Sequence, residues 1–442
     1  MFSSLKKLFG GKPEGEHPSS PATAPQARGV VASAASFLRS EAVFDRNNRL
    51  VGRLFCLRES NILANAEPAT QRGFDEALLD TLNASKEAWN TSLAFLPLSS
   101  ASLDLPAVDR LKTENIVLLL QLAADAEPNP LCEAIEALRQ RGLKIGIFRQ
   151  PRHPAFAKAI RMADCAAIDI SACEPNTVRD FSAAIRSTIQ NHPIRLLACN
   201  VETPDDHQFC RQWHFENFHG GFAAATLPPS PSSGGDPHKA QLLNLMRLVE
   251  GDAETTEIAA AMRQDPLLSF RILRYLNSPA LGLTHRIDSL EQALIILGRQ
   301  RLTRWLAVLL FSVRSPTFSD WLLVENALTR GRLMEVLGRQ LLPGHAHDAL
   351  FLTGIFSCLD RLLRRPLTEI LDDMLLADDI RLALLERRGP YAPLLAVAEA
   401  GEHFDLPRMA AAARAANVDP GDVNQALLAA TAWASEVTEY WE

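Results

Sequence analysis

The stretches Asp265-Pro-Leu-Leu-Ser-Phe-Arg-Ile-Leu-Arg-Tyr-Leu-Asn-Ser-Pro279 and Ile287-Asp-Ser-Leu-Glu-Gln-Ala-Leu-Ile-Ile-Leu-Gly298 carry the clearest helix signals in the chain. Asp265 can cap a helix whose first residue is Pro266, and Asn277-Ser278 can close it. Ser289 and Gln292 form a capping box, because a serine hydroxyl accepts the N–H three residues later. Gly298 stands where a helix ends, since glycine adopts the left-handed backbone of that position. Two consecutive helices are therefore predicted.

Helical spacing of apolar residues continues beyond these two segments. Leu294, Leu297, Leu302 and Leu306 recur at intervals of three to five residues, and no alternating strand pattern occurs between 239 and 442. This periodicity predicts an all-helical bundle for residues 239–442. Trp305 and Trp321 are interpreted as helix-packing residues.

Two segments of low apolar content divide the chain. Residues 227–238 read Leu-Pro-Pro-Ser-Pro-Ser-Ser-Gly-Gly-Asp-Pro-His, a composition that favours neither helix nor strand. Residues 12–28 are similarly poor in groups that could build a core. We therefore predict a disordered tail over 1–28, a first domain over 29–226, a linker over 227–238 and the helical domain over 239–442.

The first domain alternates predicted strands and helices. Asp45-Arg46-Asn47-Asn48 separates two β-like runs, 37–44 and 49–57, and predicts a hairpin, because Asn tolerates the backbone of tight turns. Short apolar runs follow at 115–120, 143–148, 166–170, 194–199 and 222–225, with helical stretches at 130–141 and 177–191 among them. Strands that recur every 20–30 residues with intervening helices predict βαβ units, hence a twisted sheet or an α/β barrel.

Charge and composition exclude several classes of function. The chain has 442 residues, 47% of them hydrophobic, and a net charge of −7, which does not favour a nucleic-acid-binding footprint. The six arginines between Arg361 and Arg388 are interspersed with acids and are interpreted as a solvated surface. Seven cysteines without regular spacing indicate reduced thiols. With no signal peptide and no membrane-spanning run, a cytoplasmic location is expected.

Both halves resemble known families. The segments 265–279 and 287–298 resemble the HDOD signature, and Arg299–Leu310 is similar to the HDOD branch fused behind an EAL-type domain. Upstream, Arg39–Arg58, with Val43-Phe-Asp45 and Arg49-Leu-Val-Gly52, resembles the first hairpin of an EAL cyclic-di-GMP phosphodiesterase domain. The resemblance implies an EAL-like α/β (TIM-like) barrel followed by an HDOD helical bundle.

An active EAL domain holds two divalent cations on carboxylates at its strand ends, and these cations activate water for attack on a phosphodiester. Two acids survive at the positions that the resemblance assigns to this machinery, Asp169 and Glu202. The other positions hold Leu54, Pro97, Leu119, Phe148, Arg149, Ala167, Cys199 and His219. The HDOD resemblance similarly places Ser357 and Cys358 where related metal-dependent phosphohydrolases carry their His-Asp pair, and leaves Asp360. The sequence therefore predicts no catalytic, cofactor-binding or metal-ligating residue and no cofactor.

Three further features offer alternatives. His345-Ala-His347-Asp348 could chelate a metal, but it is interpreted as a polar turn in which Asp348 caps a helix over 349–363. Cys199 could act as a thiol sensor, although lone cysteines are usually buried and inert. His214 and His219 flank a possible pocket rim, and structural roles are preferred for both.

These observations predict a chain that is not an enzyme. The leading hypothesis is a bacterial signal-transduction scaffold or adaptor that acts through protein partners, with a homo-oligomer allowed. The alternative is a receptor that binds cyclic-di-GMP without hydrolysis, for which Arg58 and Arg149 are the candidate phosphate-binding residues. A residual phosphodiesterase is the third hypothesis.

Overall fold

The computed structural model describes residues 36–439 apart from 58–66, 86–88, 90–91, 113, 189–192, 223–236, 266–267, 270–271, 274–286, 288, 312–317, 343–346, 373, 375 and 404. Predictions that concern Pro266, Asn277-Ser278, His345 and Arg58 lie outside the described residues, as does most of the 227–238 segment.

The first domain is built around a closed barrel of eight strands. The strands are β1 Arg39–Asp45, β2 Leu50–Cys56, β3 Leu93–Ser99, β4 Ile116–Gln121, β5 Lys144–Phe148, β6 Cys165–Asp169, β7 Arg195–Cys199 and β8 Asn217–His219. Strand β1 is antiparallel to both of its neighbours, β2 and β8, whereas the pairs from β2 through β8 are parallel. The predicted α/β barrel is confirmed.

The β1–β2 hairpin forms where the asparagines predicted it. Asn48 has a φ of 59°, and the Asp45 carboxylate accepts the backbone N–H groups of Asn47 and Arg49 at 2.7 and 2.9 Å. Of the predicted strand over 222–225, only Phe222 lies within the described residues, and it is not in a strand. The barrel closes through β8, three residues long, which the sequence analysis did not predict because it contains Asn217 and His219 and lacks an apolar run.

The helices of this domain are α1 Pro68–Asn83, α2 Pro106–Asp109, α3 Pro128–Gln140, α4 Phe156–Ala159, α5 Pro175–Thr188 and α6 Pro204–Gln212. Five of the six begin with proline, which fits the first turn of a helix because its missing N–H is not needed there. Apolar faces of these helices pack on the outside of the barrel, with Leu78, Ile135 and Val178 buried.

Every secondary-structure element that the structure describes in the second half is a helix, as predicted. Its helices are α7 Pro237–Glu250, α8 Thr255–Met262, α9 Leu290–Leu297, α10 Arg299–Leu310, α11 Phe318–Leu341, α12 His347–Phe356, α13 Leu359–Leu363, α14 Leu367–Asp372, α15 Asp378–Arg381, α16 Ala392–His403, α17 Leu406–Ala416 and α18 Pro420–Glu439. A π-helical turn, Leu382–Glu386, follows α15.

The predicted helix ends are confirmed where they can be seen. Leu268 donates its N–H to Oδ1 of Asp265 at 3.0 Å, and Gln292 donates to the Ser289 hydroxyl at 3.1 Å. Gly298 ends α9 with a φ of 74°. The predicted helix over 349–363 is instead two helices, α12 and α13, and Asp348 lies inside the first turn of α12 rather than at its cap.

Helix α11 is the centre of the helical half. It packs against α12 at a point where Gly331 and Gly354 face each other, and a Cβ on Gly354 would lie 2.5 Å from the Cα of Gly331. Only glycine permits this approach, because any side chain would overlap the opposite backbone. The long α11 therefore has one face against α12 and can present another to the barrel.

The two halves share an apolar interface on the outer side of β1 and β2. Phe44 of β1 lies edge-on to Phe318 and Trp321 of α11, with ring centroids 4.7 and 5.8 Å apart. Arg53 of β2 pairs with Glu325 of α11, and both side chains are buried. Helix α11 of the helical half thus covers the outer side of β1 and β2.

Candidate ligand site at the barrel mouth

The interior of the barrel is apolar along most of its length. Its interior side chains include Val43, Leu54, Phe95, Val117, Leu119, Phe148, Ala167 and Leu197, all of them buried. Leu54, Leu119, Phe148 and Ala167 are among the positions at which the EAL resemblance expects metal or phosphate ligands. The structure therefore places hydrocarbon at these four positions.

Polar side chains gather at one end of this apolar interior. We define the mouth by Arg39, Glu41, Asp169, Cys199 and His219. Since β1 runs opposite to the other strands, its first residues lie at the same end as the last residues of β6, β7 and β8. Ligands of parallel α/β barrels bind at this end.

Glu41 and His219 form the core of the mouth. Nε2 of His219 donates to Oε2 of Glu41 at 2.8 Å, and Nη2 of Arg39 donates to Oε1 of the same carboxylate at 2.6 Å. Burial raises the pKa of Glu41, but His219 and then Arg39 outweigh it, so the net pKa is lowered. Glu41 is therefore ionised at neutral pH, and the His219 ring is held in place at 1% exposure.

Asp169 is the second acid at the mouth, and one of its oxygens is unused. Its Oδ1 accepts both the backbone N–H and the hydroxyl of Ser171, at 3.0 and 2.7 Å. Its Oδ2 is buried and has no hydrogen-bond partner among the described residues. Because a buried carboxylate oxygen without a partner is costly, this atom is suited to accept a hydrogen bond from a ligand.

Cys199 on β7 lies directly opposite Asp169 on β6 in the strand register. Burial, followed by the nearby Cys165, Asp169 and Glu41, raises the pKa of its thiol well above the usual range. The thiolate, which is the reactive form, is therefore disfavoured. The thiol-sensor alternative finds no support in this environment.

Arg149 follows β5 at the same end of the barrel and is half-buried. The next residue, Gln150, ties two neighbouring loops together. Its side-chain amide accepts the N–H of Leu122 at 2.7 Å and donates to the carbonyl of Leu122 at 3.0 Å. Arg149 is therefore carried on a fixed loop, and among the described residues Arg39 and Arg149 are two cations that this end can offer to an anionic ligand.

Glu202 follows β7 at the mouth end of the barrel, whereas His214 lies between α6 and β8 at the opposite end. Glu202 is exposed beside Gly221, where a Cβ would lie 2.5 Å from its Oε2. His214 follows α6 with a φ of 65°, and its N–H donates to the carbonyl of Arg211 at 3.2 Å. These contacts agree with a structural role for His214.

The position of the HD pair in the helical half is occupied by an arginine network. Nη1 of Arg330 donates to the Ser357 hydroxyl at 2.6 Å, while its Nε and Nη2 donate to the Glu402 carboxylate at 2.8 and 2.7 Å. Burial opposes the charge on Arg330, but Cys358, Glu402 and Glu399 raise its pKa. A guanidinium thus connects α11, α12 and α16 at this point.

Divalent cations of the EAL type do not fit the residues described here. Among the described parts of the chain, no group of three or more His, Cys, Asp or Glu side chains could hold a metal ion. His347 and Asp348 do not change this, because Asp348 accepts a hydrogen bond from Arg304 at 3.1 Å.

Sequence reasoning missed Arg39 and Glu41. Both precede Val43 at intervals of two residues, which places all three on the inner face of β1. They lie at the mouth because β1 runs antiparallel to its neighbours. The predicted hairpin already implied that β1 is antiparallel to β2. The closing pair with β8, which brings His219 to Glu41, spans 178 residues and leaves no local signal.

Comparison with known proteins supports both halves of this architecture. Residues 239–368 match the family model of the HDOD domain. The cyclic di-GMP phosphodiesterase CdgJ of Vibrio cholerae is 27% identical over 327 residues, which cover 72% of this chain and 74% of the relative. The protein YuxH of Bacillus subtilis is 30% identical over 218 residues, covering 48% of this chain and 52% of the relative.

A solved structure also resembles part of the chain. The YkuI protein of Bacillus subtilis, with an EAL domain in complex with cyclic-di-GMP and calcium, matches 56% of this chain and 72% of its own at 14% identity, with a TM-score of 0.33. The sequence of a barrel followed by an HDOD domain fits the EAL–HDOD architecture. No helix in the described part of the chain combines the length and apolar character that a membrane span requires.

The prediction that the chain is not an enzyme is wrong in the light of CdgJ, a relative named as a phosphodiesterase, which points to enzymatic activity. The prediction was drawn only from positions matched to the EAL motif in the first half and to the HD pair in the second, Ser357 and Cys358. It did not count Glu41, which lies at the mouth beside His219 although no motif position assigns it there.

Proposed function

We propose, from the premise that an HDOD domain follows a closed barrel in the EAL–HDOD order, that this chain is a cyclic-di-GMP signalling protein whose barrel mouth binds the dinucleotide. The observation that carries the proposal is the mouth itself. It joins two cations, Arg39 and Arg149, to an unpartnered carboxylate oxygen of Asp169 above an apolar interior. The identity with CdgJ supports the choice of ligand.

The chemistry of the ligand matches these groups. Each phosphodiester of the dinucleotide carries one negative charge and can accept hydrogen bonds from a guanidinium. Oδ2 of Asp169 can accept an N–H of guanine or a ribose hydroxyl. The packed apolar interior, with Phe148 at the end of β5, lies directly below these groups and keeps water away from them.

Calorimetric titration of the full chain with cyclic-di-GMP tests the proposal. Wild type is expected to bind one dinucleotide, and Arg39→Gln to bind it at least about tenfold more weakly, since a charged hydrogen bond contributes about 1.5–3 kcal/mol. Arg46→Gln is the matched control, because Arg46 follows the opposite end of β1 and contacts the carbonyl of Arg211. Absence of binding by wild type, or an equal loss in both variants, would contradict the proposal.

Hydrolysis of the dinucleotide is the second candidate function, and the name of CdgJ is the observation that favours it. Because the described residues offer no cluster of three or more metal ligands, its test is the appearance of the linear dinucleotide both with and without added Mn²⁺ or Mg²⁺. Glu41→Gln and Asp169→Asn are the variants in which turnover should be lost. Binding without product formation would remove this second candidate and leave the first intact.

The same proposal includes a protein partner for the helical half. Ile295 and Ile296 on α9 lie within the segment matched to the HDOD domain and are 71% and 42% exposed. Exposed neighbouring isoleucines are typical of contact surfaces. A partner captured by wild type and not by Ile295→Glu supports this part, and identical capture by both contradicts it.

A further inference from the structure

The segment that enters β1 is shared between the two halves of the molecule. Phe37 is 2% exposed and belongs to the apolar core of the helical half, whereas the next residue, Leu38, is 1% exposed and belongs to the apolar shell around the barrel. The residue after these two is Arg39 of the mouth. Three consecutive residues therefore connect the helical core, the barrel shell and the ligand site.

One side chain of the helical half holds this segment. Asn424 of α18 accepts the backbone N–H of Leu38 at its Oδ1, at 2.7 Å, and donates from its Nδ2 to the backbone carbonyl of Ser36, at 3.0 Å. Asn424 is 4% exposed. Because both hydrogen bonds go to main-chain atoms on either side of Phe37, the amide fixes the path of the backbone and not merely one side chain.

A fixed backbone at Leu38 determines where Arg39 begins. The arginine reaches Glu41 on its own strand, and Glu41 in turn holds His219 of β8. A movement of the entry segment would therefore displace the cation and the carboxylate to which it is bound. An arginine that is already in place loses less conformational entropy when it binds an anion than one that must be ordered first.

We propose that Asn424 is a positioning residue that couples the helical half to the ligand site, by fixing the backbone on which Arg39 stands. The inference rests on the proposed function, since it concerns an anionic ligand bound at the mouth. Coupling of two sites is reciprocal in binding free energy. The two hydrogen bonds from Asn424 to the entry segment therefore strengthen ligand binding, and ligand binding strengthens these hydrogen bonds.

The consequence for signalling is direct. A partner that shifts α18 away from the entry segment weakens binding of the dinucleotide. The dinucleotide, once bound at the mouth, holds α18 in the position in which Asn424 bonds the entry segment. The device needs two positions of one helix and no change in the barrel strands that form the rest of the mouth.

The test is a double-mutant cycle on cyclic-di-GMP affinity in the full chain. Asn424→Ala is expected to weaken binding about tenfold, the middle of the range for coupled sites. Gln425→Ala is the matched control, because Gln425 is the next residue of α18 and donates to the carbonyl of Thr81 on α1 at 2.9 Å. The control should lower the melting temperature and leave the affinity within about twofold.

The cycle is completed in the Arg39→Gln background, in which Asn424→Ala should cause no further loss of affinity, because the cation it positions is gone. A loss of the same size in both backgrounds, or an equal loss with Gln425→Ala, overturns the coupling. Wild type that binds no cyclic-di-GMP at all overturns the proposed function, and the inference falls with it. Wild-type binding that Asn424→Ala leaves unchanged overturns the inference alone.

Hydrogen exchange gives the reciprocal measurement. Exchange of the Leu38 amide, which donates to Asn424, should slow when cyclic-di-GMP is added to wild type and should not respond in Asn424→Ala. An amide whose exchange is the same with and without bound ligand in wild type contradicts the coupling.

Discussion

Glu335 lies among three arginines in the helical half. Its carboxylate accepts from Arg304 at 2.7 Å and from Arg332 and Arg339 at 3.0 Å each. Burial raises its pKa, but Arg304 and then the other two arginines lower it to about 2 from an ordinary value of 4.5. A carboxylate with a depressed pKa contributes stability above its unfolded pKa, and this contribution is lost as the pH falls through the folded value.

The first prediction concerns this carboxylate. Glu335→Gln should lower the free energy of unfolding by about 3 kcal/mol at pH 7, because it leaves the buried Arg304 and Arg332 and the half-exposed Arg339 without their shared anion. The difference between wild type and variant should shrink between about pH 4.5 and pH 2, where the wild-type carboxylate also loses its charge. Thermal unfolding as a function of pH measures both.

Glu369→Gln is the control for that experiment, since Glu369 pairs with Arg365 at 3.7 Å with both side chains about half exposed. Exposed pairs contribute little to stability, so this variant should match wild type at every pH. A pH-independent difference for Glu335→Gln would contradict the ionic origin of its contribution.

Single residues explain where sequence reasoning succeeded and where it could not. Asp265, Ser289 and Gly298 act on groups within a few residues, so their patterns predicted the helix ends that the structure describes. Arg39 and His219 owe their roles to strand pairing across 178 residues, through Glu41, and no local pattern records that pairing.

At the scale of elements, α11 and β2 are joined by a buried ion pair. Arg53 and Glu325 are 272 residues apart in the chain, and their side chains are 8% and 6% exposed. Burial lowers the pKa of Arg53 to about 10, which still leaves it charged at neutral pH. Removing one partner therefore leaves a buried charge uncompensated.

The second prediction follows from this geometry. Arg53→Met and Glu325→Leu should each lower the free energy of unfolding by about 3–5 kcal/mol, whereas the double variant should be less destabilised than either single variant. The reason is that the double variant has no charge left unpaired. Chemical denaturation of the four proteins gives the comparison. A double variant whose loss equals the sum of the two single losses would show that the residues do not act as a pair.

The barrel elements were predictable to different degrees. The runs 143–148 and 194–199 are apolar enough to predict strands, and the structure has β5 and β7 there. Strand β8 was not predicted, because it is short and contains polar residues whose burial depends on closure of the barrel. The contact of Phe44 with Phe318 likewise depends on how two distant elements meet.

At the scale of the whole molecule, the domain boundaries remain a prediction from composition. The third prediction concerns the 227–238 segment, whose proline, serine and glycine content favours proteolysis. Limited digestion should cut there first. Cutting mainly inside 240–310 would contradict the boundary.

The fourth prediction is that the two fragments stay together after that cut. The interface holds Phe44, Arg53 and Leu38 of the barrel half against α11 and α18, so cleavage of the connection removes no contact between them. Size-exclusion chromatography of the digest should show one peak that contains both fragments. Two separate peaks in the absence of denaturant would show that the interface is too weak to act without the linker.

The ligand site is tested by the structure of the full chain crystallised with cyclic-di-GMP. The account predicts density for the dinucleotide at the barrel mouth, with a phosphate within hydrogen-bond distance of Arg39 or Arg149 and a donor atom of the ligand at Oδ2 of Asp169. Density for the dinucleotide on the helical half, or a mouth that stays empty in crystals grown at saturating dinucleotide, would contradict it.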